Sequence, residues 1–177
     1  MKRFFVLTLA ILSLNLCFAQ SQQRENLKKD VYYLSSDALE GREVGSVGNS
    51  LAREYICEKL DSLKIEHYIQ DFSANLGKNI VAEIRAEKPL YNPEYIVIGA
   101  HYDHLGIRNN QVYNGADDNA SGSAMLLQLA RLLNANADKI NRYILLIWFD
   151  AEEMGLLGSD HFAYNPMFVD KLSDIKL

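Results

Sequence analysis

Three short polar clusters hold the residues of this sequence that could do chemistry. The first is His101-Tyr102-Asp103-His104, the second runs from Asn114 through Asp117, Asp118 and Asn119 to Gly122, and the third is Asp150-Ala151-Glu152-Glu153. Singly, each has an ordinary explanation. A lone histidine after a strand is usually a hydrogen-bonded structural residue, Asp-Asp-Asn ahead of a helix serves as an N-cap, and paired glutamates in a loop are a solvated surface. Their coincidence changes the balance, because gathering several carboxylates is costly unless cations neutralise them. Imidazole plus carboxylates without a thiolate suits zinc, manganese or cobalt, and His101 makes zinc the first choice. No His-Glu-x-x-His helix is present, and His101 and His104 three apart in a turn are a weak motif by themselves. Two adjacent glutamates cannot easily serve one ion from the same side, so Glu152 and Glu153 suggest that one binds metal and the other handles a proton.

The elements that must position these clusters read as strand, helix, strand. Tyr95 to Ala100 and Tyr143 to Phe149 are nearly continuous apolar runs, the pattern of strands buried on both faces. Between them, Ala124, Met125, Leu127, Leu129, Leu132 and Leu133 predict a helix from about Ser121 to Asn134, long enough for a crossover between parallel strands. Ligands of open α/β sheets bind beyond the carboxyl ends of strands, where His101 and Asp150 follow. Upstream, Leu27, Val31, Leu34 and Ala38 predict a helix over residues 23–38, ended by Glu40-Gly41-Arg42. Leu51, Tyr55, Ile56, Leu60 and Leu63 predict a second, capped by Asn49 or Ser50. Strands are expected near 66–73 and 79–86, and Pro89 and Pro93 bracket a turn. The expected fold class is a three-layer α/β/α domain with a mixed, largely parallel central sheet.

Lys2 and Arg3, the apolar run Phe4 to Leu16, and Cys17-Phe18-Ala19 have the form of a secretory signal cleaved after Ala19. The run is short of the ~20 residues a bilayer span needs. Residues 1–19 are therefore expected to be a signal peptide, residues 20–177 one domain, and the mature protein secreted or periplasmic with no membrane anchor. Cleavage would remove Cys17 and leave Cys57 as the sole cysteine, read as a buried small hydrophobe in a helix. Of the 177 residues, 49% are hydrophobic and 23% charged, which excludes disorder, collagen and coiled coil. A net charge of −5, with no lysine or arginine run, gives no footprint for a polyphosphate, so nucleic acid is not expected as a partner.

The segments Gly99-Ala100-His101-Tyr102-Asp103, Gly115 to Gly122 and Ala151-Glu152-Glu153-Met154-Gly155-Leu156-Leu157-Gly158-Ser159 resemble the secreted di-zinc aminopeptidases related to glutamate carboxypeptidase and the glutaminyl cyclases. Ser35 to Arg42 and Gly48-Asn49 resemble that family's N-terminal helices. The resemblance implies that His101 and Glu153 are zinc ligands, that Asp118 bridges two zinc ions with Asp117 as a neighbour, and that Asp103 orients the His101 imidazole. It implies Glu152 as the general base, taking a proton from a water bridging the metals, and peptides with a free N-terminus as substrates.

The family pattern has five protein ligands, and the remaining aspartate and histidine are expected beyond Leu177. Asp170 and Asp174 match no motif, and the chain is accordingly expected to be the N-terminal part of a catalytic domain, with its own activity open. A glutaminyl cyclase and a non-catalytic or inactive domain of the same fold are the competing readings. The stretch Asp118-Asn119-Ala120-Ser121-Gly122 looks more like the peptidase version, and a binding module has no use for a proton shuttle at Glu152. His104 stays open between substrate contact and sheet edge. His67, Asp160 and His161 are read as structural, Trp148 as core, and the sequon at Asn119 as unused because a glycan would block the site.

Overall fold

The computed structural model describes residues 20–72, 76–91, 94–169 and 174–176. The expected signal peptide, Pro93 and Asp170 lie outside them. Helix α1 (residues 20–34) presents Leu27, Val31 and Leu34 inward. It stops earlier than the apolar spacing suggests, since the hydroxyls of Ser35 and Ser36 bond back to the carbonyls of Val31 and Tyr33 at 2.7 and 2.8 Å, a local alternative that ends helices. A 3-10 turn, Asp37–Arg42, follows, with Glu40 and Gly41 at φ 48° and 72°. Helix α2 (Val47–Ser62) starts before the predicted cap, because the Ser46 hydroxyl accepts the Asn49 amide at 3.1 Å.

The described residues form strands β1 (His67–Phe72), β2 (Gly77–Ile84), β3 (Tyr95–His101), β4 (Gly106–Arg108), β5 (Gln111–Tyr113) and β6 (Tyr143–Phe149). The main sheet is mixed, in the order β1-β2-β6-β3. Its β1-β2 and β2-β6 pairs are antiparallel, and β3 and β6 run parallel from Tyr95↔Tyr143 to His101↔Phe149. Helix α3 (Ser121–Asn134) links β3 to β6 as the apolar pattern predicts. The β4-β5 hairpin is a small separate sheet turning at Asn109 and Asn110, both with positive φ. Gly41 lies against it so closely that a Cβ there would stand 2.5 Å from the carbonyls of Gly106 and Tyr113.

Alternation along the strands divides the core into two faces. Ile80, Ala82, Ile84, Ile144, Leu146 and Trp148 pack with Leu34, Ile56, Leu60 and Leu127 of the helices. Val81, Leu145 and Ile147 point the other way, onto Phe162 of α4 (Leu157–Tyr164). Each large aliphatic side chain buried this way contributes about 1.5–3 kcal/mol, and together they fix the carboxyl ends of β3 and β6 side by side. Trp148 is fully buried with its Nε1 donating to the Ser123 carbonyl at 3.0 Å. Helices α1 to α3 are tied by Asp30, 2% exposed, which accepts from Tyr55 and Arg131, both at 2.7 Å. Cys57 is half-buried, and burial pushes its thiol up to about 11, which leaves it inert as a nucleophile.

Candidate metal centre

The parallel pairing of β3 and β6 ends at His101↔Phe149, so the segments after these residues emerge together at one sheet edge. They are stitched by Asp103, which is 1% exposed. One of its carboxylate oxygens accepts the Glu152 amide at 3.1 Å and the other the Glu153 amide at 3.2 Å. Asp103 thereby holds the backbone of both glutamates, and its Oδ1 also lies 3.5 Å from Nδ1 of His101.

From the other side comes the loop ahead of α3. Residues Ala116–Ala120 form a distorted turn in which Asp118 (φ −117°, ψ 93°) and Asn119 depart from helical geometry. Asp118, which is largely exposed, reaches His101, with Oδ1 3.0 Å from Nε2. Glu152 Oε2 stands 3.9 Å from the same nitrogen. The His101 carbonyl is fixed by the Ser123 hydroxyl at 2.8 Å, so both ends of this residue are held. Burial alone would lower the His101 pKa; the hydrogen bond and charge of Asp103, with Glu152 and Asp118 beside it, outweigh burial and raise it.

Glu153 turns to a different partner. Its Oε1 is 2.7 Å from Nδ1 of His104, a residue 8% exposed. Ligand-type atoms of His104, Asp118 and Glu153 lie within 4.8 Å of one another. The residues singled out from the sequence thus form one continuous group, with His101, Asp103, Asp118 and Glu152 on one side and His104 and Glu153 on the other. Its imidazole nitrogens and carboxylate oxygens are a donor set that fits zinc. Asp117 is exposed and bonds to the Ser121 hydroxyl only through its carbonyl. Asn119 Oδ1 accepts the Gly122 amide at 3.0 Å, capping the start of α3.

Two supporting roles went unread in the sequence, that of Arg42 and that of Asp150, which figured there only as the first residue of the third cluster. Arg42, there only a helix terminator, is fully buried. Its Nε donates to the Tyr102 carbonyl at 2.8 Å, Nη1 to Asn114 at 2.7 Å and to Leu34, and Nη2 to Gly115 at 3.1 Å. Burial lowers this guanidinium to about 10, with Asp103 and Asp118 pulling the other way, and it stays charged at neutral pH. The second support is Asp150, completely buried. It accepts from Asn49 Nδ2 at 2.9 Å, from the Lys78 amide at 2.9 Å and from the Ala151 amide at 3.0 Å. Burial raises its pKa against those bonds. Only a buried guanidinium serving distant carbonyls, or a carboxylate serving distant amides, defines these roles, and neither leaves a periodic signature.

A mixed α/β sheet with imidazoles and carboxylates gathered at its strand ends is the architecture of the zinc-exopeptidase fold. Residues 79–177 match peptidase family M28, and the chain belongs to that family. Among curated relatives, an aminopeptidase of Bacillus subtilis is 36% identical over 110 residues, covering 62% of this chain and 21% of that protein. Leucine aminopeptidase 1 of Trichophyton rubrum is 30% identical over 154 residues, covering 80% of this chain and 40% of that protein. Among solved structures, a Zn-dependent exopeptidase from Parabacteroides distasonis superposes with a TM-score of 0.66 at 22% identity, over 81% of this chain and 56% of its own. A glutaminyl cyclase of Porphyromonas gingivalis gives 0.66 at 20% identity, over 81% of this chain and 55% of its own. The chain thus spans at most about half the length of these proteins. No described helix is long and apolar enough to cross a membrane.

Proposed function

We propose that this chain supplies the core of the active site of a zinc-dependent aminopeptidase. The observation that carries the reading is the meeting at His101, whose Nε2 faces Asp118 at 3.0 Å and Glu152 at 3.9 Å. His101 and Glu153 would each hold a zinc ion and Asp118 would join the two. Bound zinc supplies Lewis acidity toward the scissile carbonyl. Asp103 keeps the His101 ring in place and fixes the backbone of both glutamates. Glu152, its side chain 35% exposed, is the group left free to take a proton from the attacking water and return it to the leaving amine. Peptides with a free N-terminus are the substrates, nucleic acid is not a partner, and export through the residue 1–19 signal would deliver the enzyme to a secreted or periplasmic compartment without an anchor.

The test uses the full-length protein with aminoacyl-nitroanilides. Activity should vanish in chelator and return with zinc, while Glu152→Gln should lower kcat about 10²–10⁴-fold with zinc content unchanged. Wild-type turnover in Glu152→Gln would overturn the assignment of the base. The shared fold makes glutaminyl cyclase the second reading. Cyclisation of N-terminal glutaminyl peptides without aminopeptidase activity would establish it instead, and zinc binding without either activity would indicate a non-catalytic domain.

A further inference from the structure

His104 is not among the residues that the proposed mechanism uses, yet it is held from three sides. Its amide donates to the Arg42 carbonyl at 3.2 Å. One edge of its ring lies against Gly115, where an added Cβ would stand 2.5 Å from Cγ and Cδ2 and where φ is +54°. Its Nδ1 lies 2.7 Å from Oε1 of Glu153. Gly115 opens the turn that carries Asp118, so the His104 ring is wedged between the Asp118 loop and the Glu153 side chain.

The 2.7 Å spacing between the His104 ring and Glu153 is that of a hydrogen bond. A spacing of ~2.7–2.9 Å is the range of a charge-assisted N–H···O hydrogen bond. A carboxylate oxygen can only accept, so the proton belongs on Nδ1. We infer that His104 is a positioning residue: its Nδ1–H engages Oε1 of Glu153, leaving Oε2 as the oxygen presented to the metal, while its packing on Gly115 sets the distance between Glu153 and the Asp118 loop. The inference rests on the reading of Glu153 as a ligand.

The experiment compares His104→Phe, His104→Gln and Glu153→Gln in the full-length protein, with zinc affinity measured by chelator competition. His104→Phe fills the space without a donor and should weaken zinc binding about 10–100-fold, without lowering the number of ions bound at saturation. His104→Gln restores a donor and should recover most of that loss. Unchanged affinity in His104→Phe, alongside a loss in Glu153→Gln, would overturn the positioning role alone. Unchanged affinity in Glu153→Gln would overturn the reading of Glu153 beneath it. Loss of one zinc equivalent in both His104 variants would make His104 a ligand and equally overturn the inference. The ring tautomer needs no variant that might misfold: nitrogen NMR of the wild-type protein should find the proton on Nδ1, and a proton on Nε2 alone would refute it.

Discussion

Asp103→Asn isolates the stitch between the two strand ends. The substitution keeps the volume of the side chain, so no cavity opens, but an amide has one oxygen where the carboxylate has two. Because Oδ1 serves the Glu152 amide and Oδ2 the Glu153 amide, one of these N–H groups must then face an NH₂ group. An unsatisfied buried donor costs about 1–3 kcal/mol. At about 2–4 °C per kcal/mol for a chain of this size, the melting temperature should fall by roughly 2–12 °C. Asp103→Ala strands both amides and should cost about twice as much. Either substitution also removes the carboxylate charge 3.5 Å from Nδ1 of His101, leaving the ring its 3.2 Å contact with the residue 103 carbonyl, so zinc affinity should drop about 10–100-fold. Thermal melts of the metal-free protein read the first effect and chelator competition reads the second. An Asn variant that melts within a degree of wild type and binds zinc equally well would refute the idea that Asp103 joins the two loops.

Arg42→Met removes the donor to four carbonyls and should destabilise the protein by at least ~3 kcal/mol in urea titration; Arg42→Lys, which keeps charge but not the planar fork, should recover only part. Asp150 gives a pH signature in the metal-free protein. Since its pKa is raised on folding by burial, the folded state holds the proton more tightly than the unfolded one. Its contribution to stability is therefore full below the ordinary carboxylate pKa of about 3.9 and is lost as pH rises through the higher folded value. Unfolding free energies measured between about pH 3 and 7 should fall with pH for wild type relative to Asp150→Asn, and parallel curves would contradict this.

The buried strands were legible because their apolar runs are continuous. Tyr143–Phe149 and Ser121–Asn134 coincide with expectation because nothing local competes with burial there. Boundaries moved where short side chains intervened, as at Ser35 and Ser36 behind α1 and at Ser46 ahead of α2. The β4-β5 hairpin went unread, although an Asn-Asn pair between Ile107-Arg108 and Gln111-Val112 is a turn signal for residues that tolerate positive φ. In the site, residue types and strand-end positions were enough to group His101, Asp118 and Glu152. The His104-Glu153 contact and the Arg42 carbonyl clamp depend on how loops 49 and 72 residues apart in sequence are brought together, which local patterns do not encode.

The Arg42 clamp has a consequence for how the protein opens. A guanidinium cannot be left buried without partners, and this one takes them from the end of α1, from Tyr102 after β3 and from Asn114 and Gly115 ahead of Asp118. Freeing any one segment takes one or two acceptors from this buried charge, so opening of the three should be coupled as a cooperative unit. The chain that leads to Asp118 therefore shares its opening free energy with a helix end some 80 residues earlier in sequence, and its amides should exchange with solvent in step with that helix end.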